Sequence, residues 1–159
     1  MTSFLHSQPL FQLYLAWSSA NPMFVRLSEG RFNITRREWR VLATLSHFER
    51  LSASALAREV QLDLVRTSRT VTRLVEKGWV SRVKNSANAR SVWVQLEPAG
   101  YAIFEQMRPL VEELNQLLIQ DLTETEQKQL STLLHTITQR AQQLNASALI
   151  TDKARRGNR

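Results

Sequence analysis

The stretch Asp63-Leu64-Val65-Arg66-Thr67-Ser68-Arg69-Thr70-Val71-Thr72-Arg73-Leu74-Val75-Glu76-Lys77-Gly78 decides the fold. Asp63 is a strong N-cap residue, Gly78 terminates a helix, and Lys77 suits its last turn. At about 100° per residue, Leu64, Val71 and Val75 gather on one side, which the pattern turns towards a core. Arg66, Arg69, Arg73 and Lys77 follow one another along the opposite side, with Thr70 beside them. Cations stacked on one stripe repel each other, and the one acid of the stretch besides the cap, Glu76, flanks its far end. The arrangement is costly as plain surface and suits a helix laid against nucleic acid.

Beyond Gly78 the period changes. Residues 79–83 and 91–96 are β-type runs, the second with Val92, Val94 and Leu96 on one face. The polar segment 84–90 joins them. Before Asp63, Gln61 and Leu62 make a tight turn, and Ser52 caps a short helix through Leu56, Ala57 and Val60. Thr35 and Glu38 form a capping box that opens a helix with Trp39, Val41, Leu42 and Leu45, running to about His47. Residues 35–97 therefore read as a winged helix-turn-helix.

From Arg58 to Arg90 there are eight basic residues against three acidic ones, so five of the chain's seven net positive charges sit on this head. Arginine offers a bidentate fork to guanine, and hydroxyl side chains reach several base edges. In this architecture the N-terminal part of the second helix meets the bases. Arg66, Thr67, Arg69 and Thr70 are accordingly assigned to base contacts, Arg73 and Lys77 to phosphates. Ser68 leans towards the core side and is the lesser contact. Arg90, near the hairpin tip, suits a minor groove, and Lys84 is the second wing candidate. The partner implied is double-stranded DNA.

The remainder is helical. An apolar helix over about Pro9 to Leu27 carries Pro22, which should kink or break it, and Ser28 to Asn33 reads as a turn. Pro98 opens a long helix to about Gln120 that contains Pro109, and a Thr123/Glu126 capping box opens the last helix, to about Asn145. Leu110, Leu114, Leu117, Leu118, Leu130, Leu133, Leu134 and Ile137 stripe these two helices. Residues 5–34 and 98–146 thus form a helical part. Residues 147–159 are a tail, basic through Lys153, Arg155, Arg156 and Arg159 and expected to be disordered. The fold class is mainly α with a small two-stranded β-wing.

The 159 residues are 43% hydrophobic and include no cysteine, three scattered histidines and four scattered glycines. No nucleophile–base pair, metal cluster or phosphate-cradling loop is recognisable, so neither an enzyme nor a cofactor is expected. No apolar run is long enough for a membrane span, and the N-terminus lacks a signal pattern, so a cytoplasmic location is expected. Trp17, Phe24, Arg26, Trp39 and His47 could line a pocket for an aromatic carboxylate, although the plainer role of the three aromatics is core. Two rival readings are a winged helix used for protein interaction or sequence-indifferent DNA compaction, and nucleic-acid contact made chiefly by the basic tail.

The chain resembles the MarR family of bacterial regulators. The likeness rests on Glu38-Trp39-Arg40-Val41-Leu42, Leu56-Ala57, the run from Thr72 to Arg82, and Asn88-Ala89-Arg90 followed by Val92, Val94, Leu96 and Gly100. It implies a homodimer whose first and last two helices intertwine above two winged helices. It also implies repression from a palindromic operator, with release by a small aromatic or phenolic anion, although the residues themselves permit activation equally. The chain departs from the family's pattern at Asn88, where an aspartate usually anchors the wing, and at Glu97, where threonine is favoured. Pro22 is a further departure.

Overall fold

The computed structural model describes residues 3–84, 92–147, 149, 150 and 152. A short 3-10 turn at Leu5–Ser7 precedes α1 (Pro9–Val25), a π-helical turn (Arg26–Arg31) and α2 (Arg36–Leu45). Next come β1 (Leu51–Ser52), α3 (Ala53–Glu59), α4 (Leu64–Glu76), β2 (Val80–Lys84) and β3 (Val92–Leu96). The long helices α5 (Pro98–Ile119) and α6 (Glu124–Ala146) follow. The chain divides into two compact units, the first ending at Gln116 and the second beginning at Leu117.

The helix starts of the first unit follow its capping chemistry. Thr35 and Glu38 form a reciprocal capping box on α2, the Ser52 hydroxyl accepts from the Ala55 N–H at 3.2 Å, and Asp63 accepts from the Arg66 N–H at 2.7 Å. Gln61, at φ +53°, makes the tight turn between α3 and α4, and Gly78, at φ +70°, ends α4. Val41, Leu42 and Leu45 of α2, Leu56 and Val60 of α3, and Val71 and Leu74 of α4 close one core with Val80, Val94 and Met107.

The sheet is antiparallel with order β1-β3-β2. The expected hairpin is present as β2 and β3, with Val80 opposite Leu96 and Lys84 opposite Val92. A third strand, β1, pairs Leu51 with Val94 on the other edge of β3. Its two residues are too short to carry an alternation that a sequence reading would register.

Three expectations need correction. The buried face of α4 is Thr67, Thr70, Val71 and Leu74, while Leu64 and Val75 are 59% and 36% exposed. The Thr67 hydroxyl donates to the Asp63 carbonyl and the Thr70 hydroxyl to the Arg66 carbonyl, each at 2.8 Å. With the polar atom satisfied one turn back, each threonine packs its methyl group into the core. Ser68 in turn faces solvent rather than the core. Pro22 does not break α1, which runs through it to Val25, and the expected turn after Ser28 is largely taken up by the π-helical turn. Pro22 has no N–H to give to the carbonyl of Ser18, and the wider turn begins four residues on.

In the second unit, α6 opens on a second capping box between Thr123 and Glu126. Gln127 donates to the Leu122 carbonyl at 2.9 Å. Leu130, Leu133, Leu134 and Ile137 recur at i, i+3, i+4 and i+7 and stand between 39% and 60% exposed. Among the described residues no helix is long and apolar enough to cross a membrane.

Candidate nucleic-acid interface

Because Thr67, Thr70, Val71 and Leu74 turn inward, the face of α4 directly opposite carries Val65, Ser68, Arg69 and Thr72, with Arg66 and Arg73 along one flank. Arg69 and Arg73 are exposed, and among the described residues no carboxylate pairs with either. Arg66 is half-buried with its Nε 3.3 Å from the Asp63 carboxylate, so the N-cap residue both starts the helix and holds the first arginine against it.

Lys77 departs from the stripe the sequence suggested. Its Nζ lies 3.0 Å from Glu38 Oε1, donates to the Asn33 carbonyl at 2.8 Å and sits 4.7 Å from the centre of the Trp79 ring. The ammonium is therefore held by the protein's own surface. Glu38 is buried, which disfavours its charge. Hydrogen bonds from Thr35 and Lys77 overcome that penalty and hold its carboxyl below the usual carboxylate range.

Arg82 takes a role that the sequence reading missed. From β2 it donates to the Thr72 hydroxyl at 2.8 Å and to the Ser68 carbonyl at 3.2 Å, tying the wing to α4. Its only signal in the sequence is its place four residues after Gly78, which does not reveal where a strand side chain points. Lys84 is exposed at the end of β2. Arg90 and Asn88 lie outside the described residues, as does most of the basic tail.

The candidate pocket residues separate. Trp39 stacks on Phe104 at 5.5 Å between ring centres and packs against the core. His47 is exposed on the loop after α2, and Arg26 is exposed. Trp17 and Phe24 do meet a cation, but it is Arg36, whose guanidinium lies 5.8 Å from the Trp17 ring and 4.3 Å from the Phe24 ring. Arg36 also donates to Asn21 Oδ1. Burial, and then the neighbouring charge of Arg40, holds its pKa below that of a free arginine; burial and Arg37 do the same for Arg40. The Nε atoms of Arg36 and Arg40 are buried without a hydrogen-bond partner among the described residues.

Known proteins match this architecture. A model of the MarR family matches residues 34–92. The multiple antibiotic resistance protein MarR of Escherichia coli K12 is 36% identical over 103 residues, which cover 64% of this chain and 72% of that protein. A mutant of E. coli MarR in complex with operator DNA superposes with a TM-score of 0.72 at 31% identity, covering 86% of this chain and 99% of that one. A probable transcriptional regulator from Pseudomonas aeruginosa gives a TM-score of 0.77 at 26% identity, covering 84% and 98%. A capped helix with a cationic outward face, a wing tied to it and a relative of this identity and coverage lead to one conclusion: the chain belongs to the MarR family of winged-helix, DNA-binding transcriptional regulators.

Proposed function

We propose that the protein is a sequence-specific repressor that binds a palindromic operator as a homodimer and leaves it when a small aromatic anion binds. The observation that carries the reading is the outward face of α4. Exposed Arg69 and Arg73, which have no acidic partner among the described residues, stand beside the hydroxyls of Ser68 and Thr72. Arg69 and Ser68 suit base edges, and Arg73, a turn further on, suits a phosphate. Thr67 and Thr70 leave the reading set because they are buried, and Lys77 leaves the phosphate set because Glu38 and Asn33 hold it.

Pairing with a second copy is supported by the uncovered apolar stripe of α6, since a leucine-rich helix face of this kind is seldom left in water. A closed two-fold dimer would place two copies of α4 in successive major grooves, about 34–36 Å apart. Release by an aromatic anion is supported by Arg36 over Trp17 and Phe24, its own Nε and that of Arg40 being buried without partners among the described residues. The protein family of E. coli MarR and the operator complex of that relative make repression the reading of first choice.

The test is selection of bound duplexes from a random pool at near-physiological salt, followed by sequencing. An enriched inverted repeat with half-sites about one helical turn apart is expected. Tight binding without enrichment would replace the proposal with sequence-indifferent compaction.

A further inference from the structure

Val65 is the one large aliphatic side chain at the centre of α4's outward face. It stands 60% exposed in the first turn of the helix. Val65, Ser68, Arg69 and Thr72 fall at i, i+3, i+4 and i+7 and so share one line, diametrically opposite the buried threonines. Leu64, 59% exposed, lies about a quarter turn to one side of that line, and Arg66 and Arg73 flank the other. A β-branched residue is a poor choice for an exposed helix position, because it loses side-chain freedom and leaves methyl groups in water. Nothing within the described residues covers it. The occupant is set by the neighbours: cations on the same face call for a polyanion, and the apolar group between them calls for an apolar feature on it.

The major-groove edge of DNA has one such feature, the C5-methyl group of thymine. We infer that Val65 is a specificity-determining residue whose methyl groups pack against a thymine methyl in each half-site, one turn before Arg69 along the helix. The inference rests on the sequence-specific reading above and adds the base class that the first turn recognises. Burying about one methyl group in this way is worth roughly fourfold in affinity per half-site.

The test uses the full-length protein and the duplex obtained by selection. Each thymine of the half-site is replaced in turn by deoxyuridine, which removes the C5-methyl group and leaves pairing intact. One thymine per half-site should show a loss of about fourfold with the wild-type protein. Val65→Ala, which removes the contact from both half-sites of the dimer at once, should bind the thymine site about 16-fold more weakly and show no further loss on deoxyuridine. Val65→Thr, which keeps one methyl group, should retain part of the discrimination. Val65 is exposed, so an unchanged melting temperature shows that each variant is folded. Equal deoxyuridine sensitivity in wild type and Val65→Ala, or no sensitivity in the wild type, overturns the assignment while leaving specific binding intact. Failure to enrich any sequence in the first place overturns both.

Discussion

Lys77 Nζ lies 3.0 Å from Glu38 Oε1, so the C-cap residue of α4 is fastened to the first turn of α2. Glu38 is nearly buried while the lysine is partly exposed, and the same ammonium also donates to the Asn33 carbonyl at 2.8 Å. The carboxylate serves two elements, because its other oxygen accepts from the Thr35 N–H at 2.7 Å as half of the α2 capping box. The two ends of the helix-turn-helix are thereby locked through one side chain, and α4 presents its arginines from a fixed platform.

Acid should loosen that lock. The folded-state pKa of Glu38 is lowered, so its contribution is complete above the unfolded value of about 4.3 and fades as the pH falls through the folded value. At pH 7, Glu38→Gln should cost about 1–3 kcal/mol, since Lys77 loses its counter-charge. The difference in melting temperature between wild type and variant should shrink once the pH drops below about 4. A difference independent of pH would show that the carboxylate's charge is not what stabilises the platform.

Salt dependence separates the two cations at the end of α4. Arg73→Ala, which removes one phosphate contact from each protomer of the dimer, should lower the magnitude of the log–log salt slope of binding by about 2, whatever the DNA sequence. Lys77→Ala should leave that slope nearly unchanged and lower thermal stability instead, because its ammonium is held by Glu38 and Asn33. Arg69→Ala should cost about 1–3 kcal/mol per half-site on the selected operator and far less on random duplexes. Equal losses on both would move Arg69 to the phosphates.

Much of this architecture was legible before any coordinates, because it is written in short-range chemistry. The caps at Thr35, Ser52, Asp63 and Thr123 and the stop at Gly78 each act within a few residues, and each marks its helix end. The side-chain roles were legible only in part. Thr67 and Thr70 look polar in a string of letters, yet a bond to the carbonyl one turn back makes them core residues. Lys77 and Arg82 are engaged by partners at sequence distances of 39, 44, 10 and 14 residues, which no helical wheel reveals. The same holds for Arg36, whose aromatic partners Trp17 and Phe24 come from α1.

The stripe on α6 gives a direct test of pairing. Leu133 is 60% exposed, so Leu133→Glu should leave α6 folded while placing a charge in any interface built on that face. Sedimentation should show a monomer at micromolar concentration, with operator affinity reduced by about 100-fold or more because two half-sites are no longer engaged together. A variant that remains dimeric would move the interface away from this stripe.

The aromatic cage on α1 gives the test of release. Arg36 carries a charge that is partly desolvated, lies over two rings and has a buried Nε without a partner among the described residues, so an aromatic carboxylate would meet a poorly hydrated cation beside aromatic faces. Benzoate and its hydroxylated forms are suitable probes. Wild-type protein should release the selected operator as the probe is added, and Arg36→Met should need about 10- to 100-fold more of it, the loss expected for one charged hydrogen bond. Arg26→Met should respond as the wild type does, since Arg26 is exposed and Arg36 is the cation over the rings. If both variants release DNA at the wild-type concentration, the cage serves packing between α1 and α2, and the trigger for release lies elsewhere.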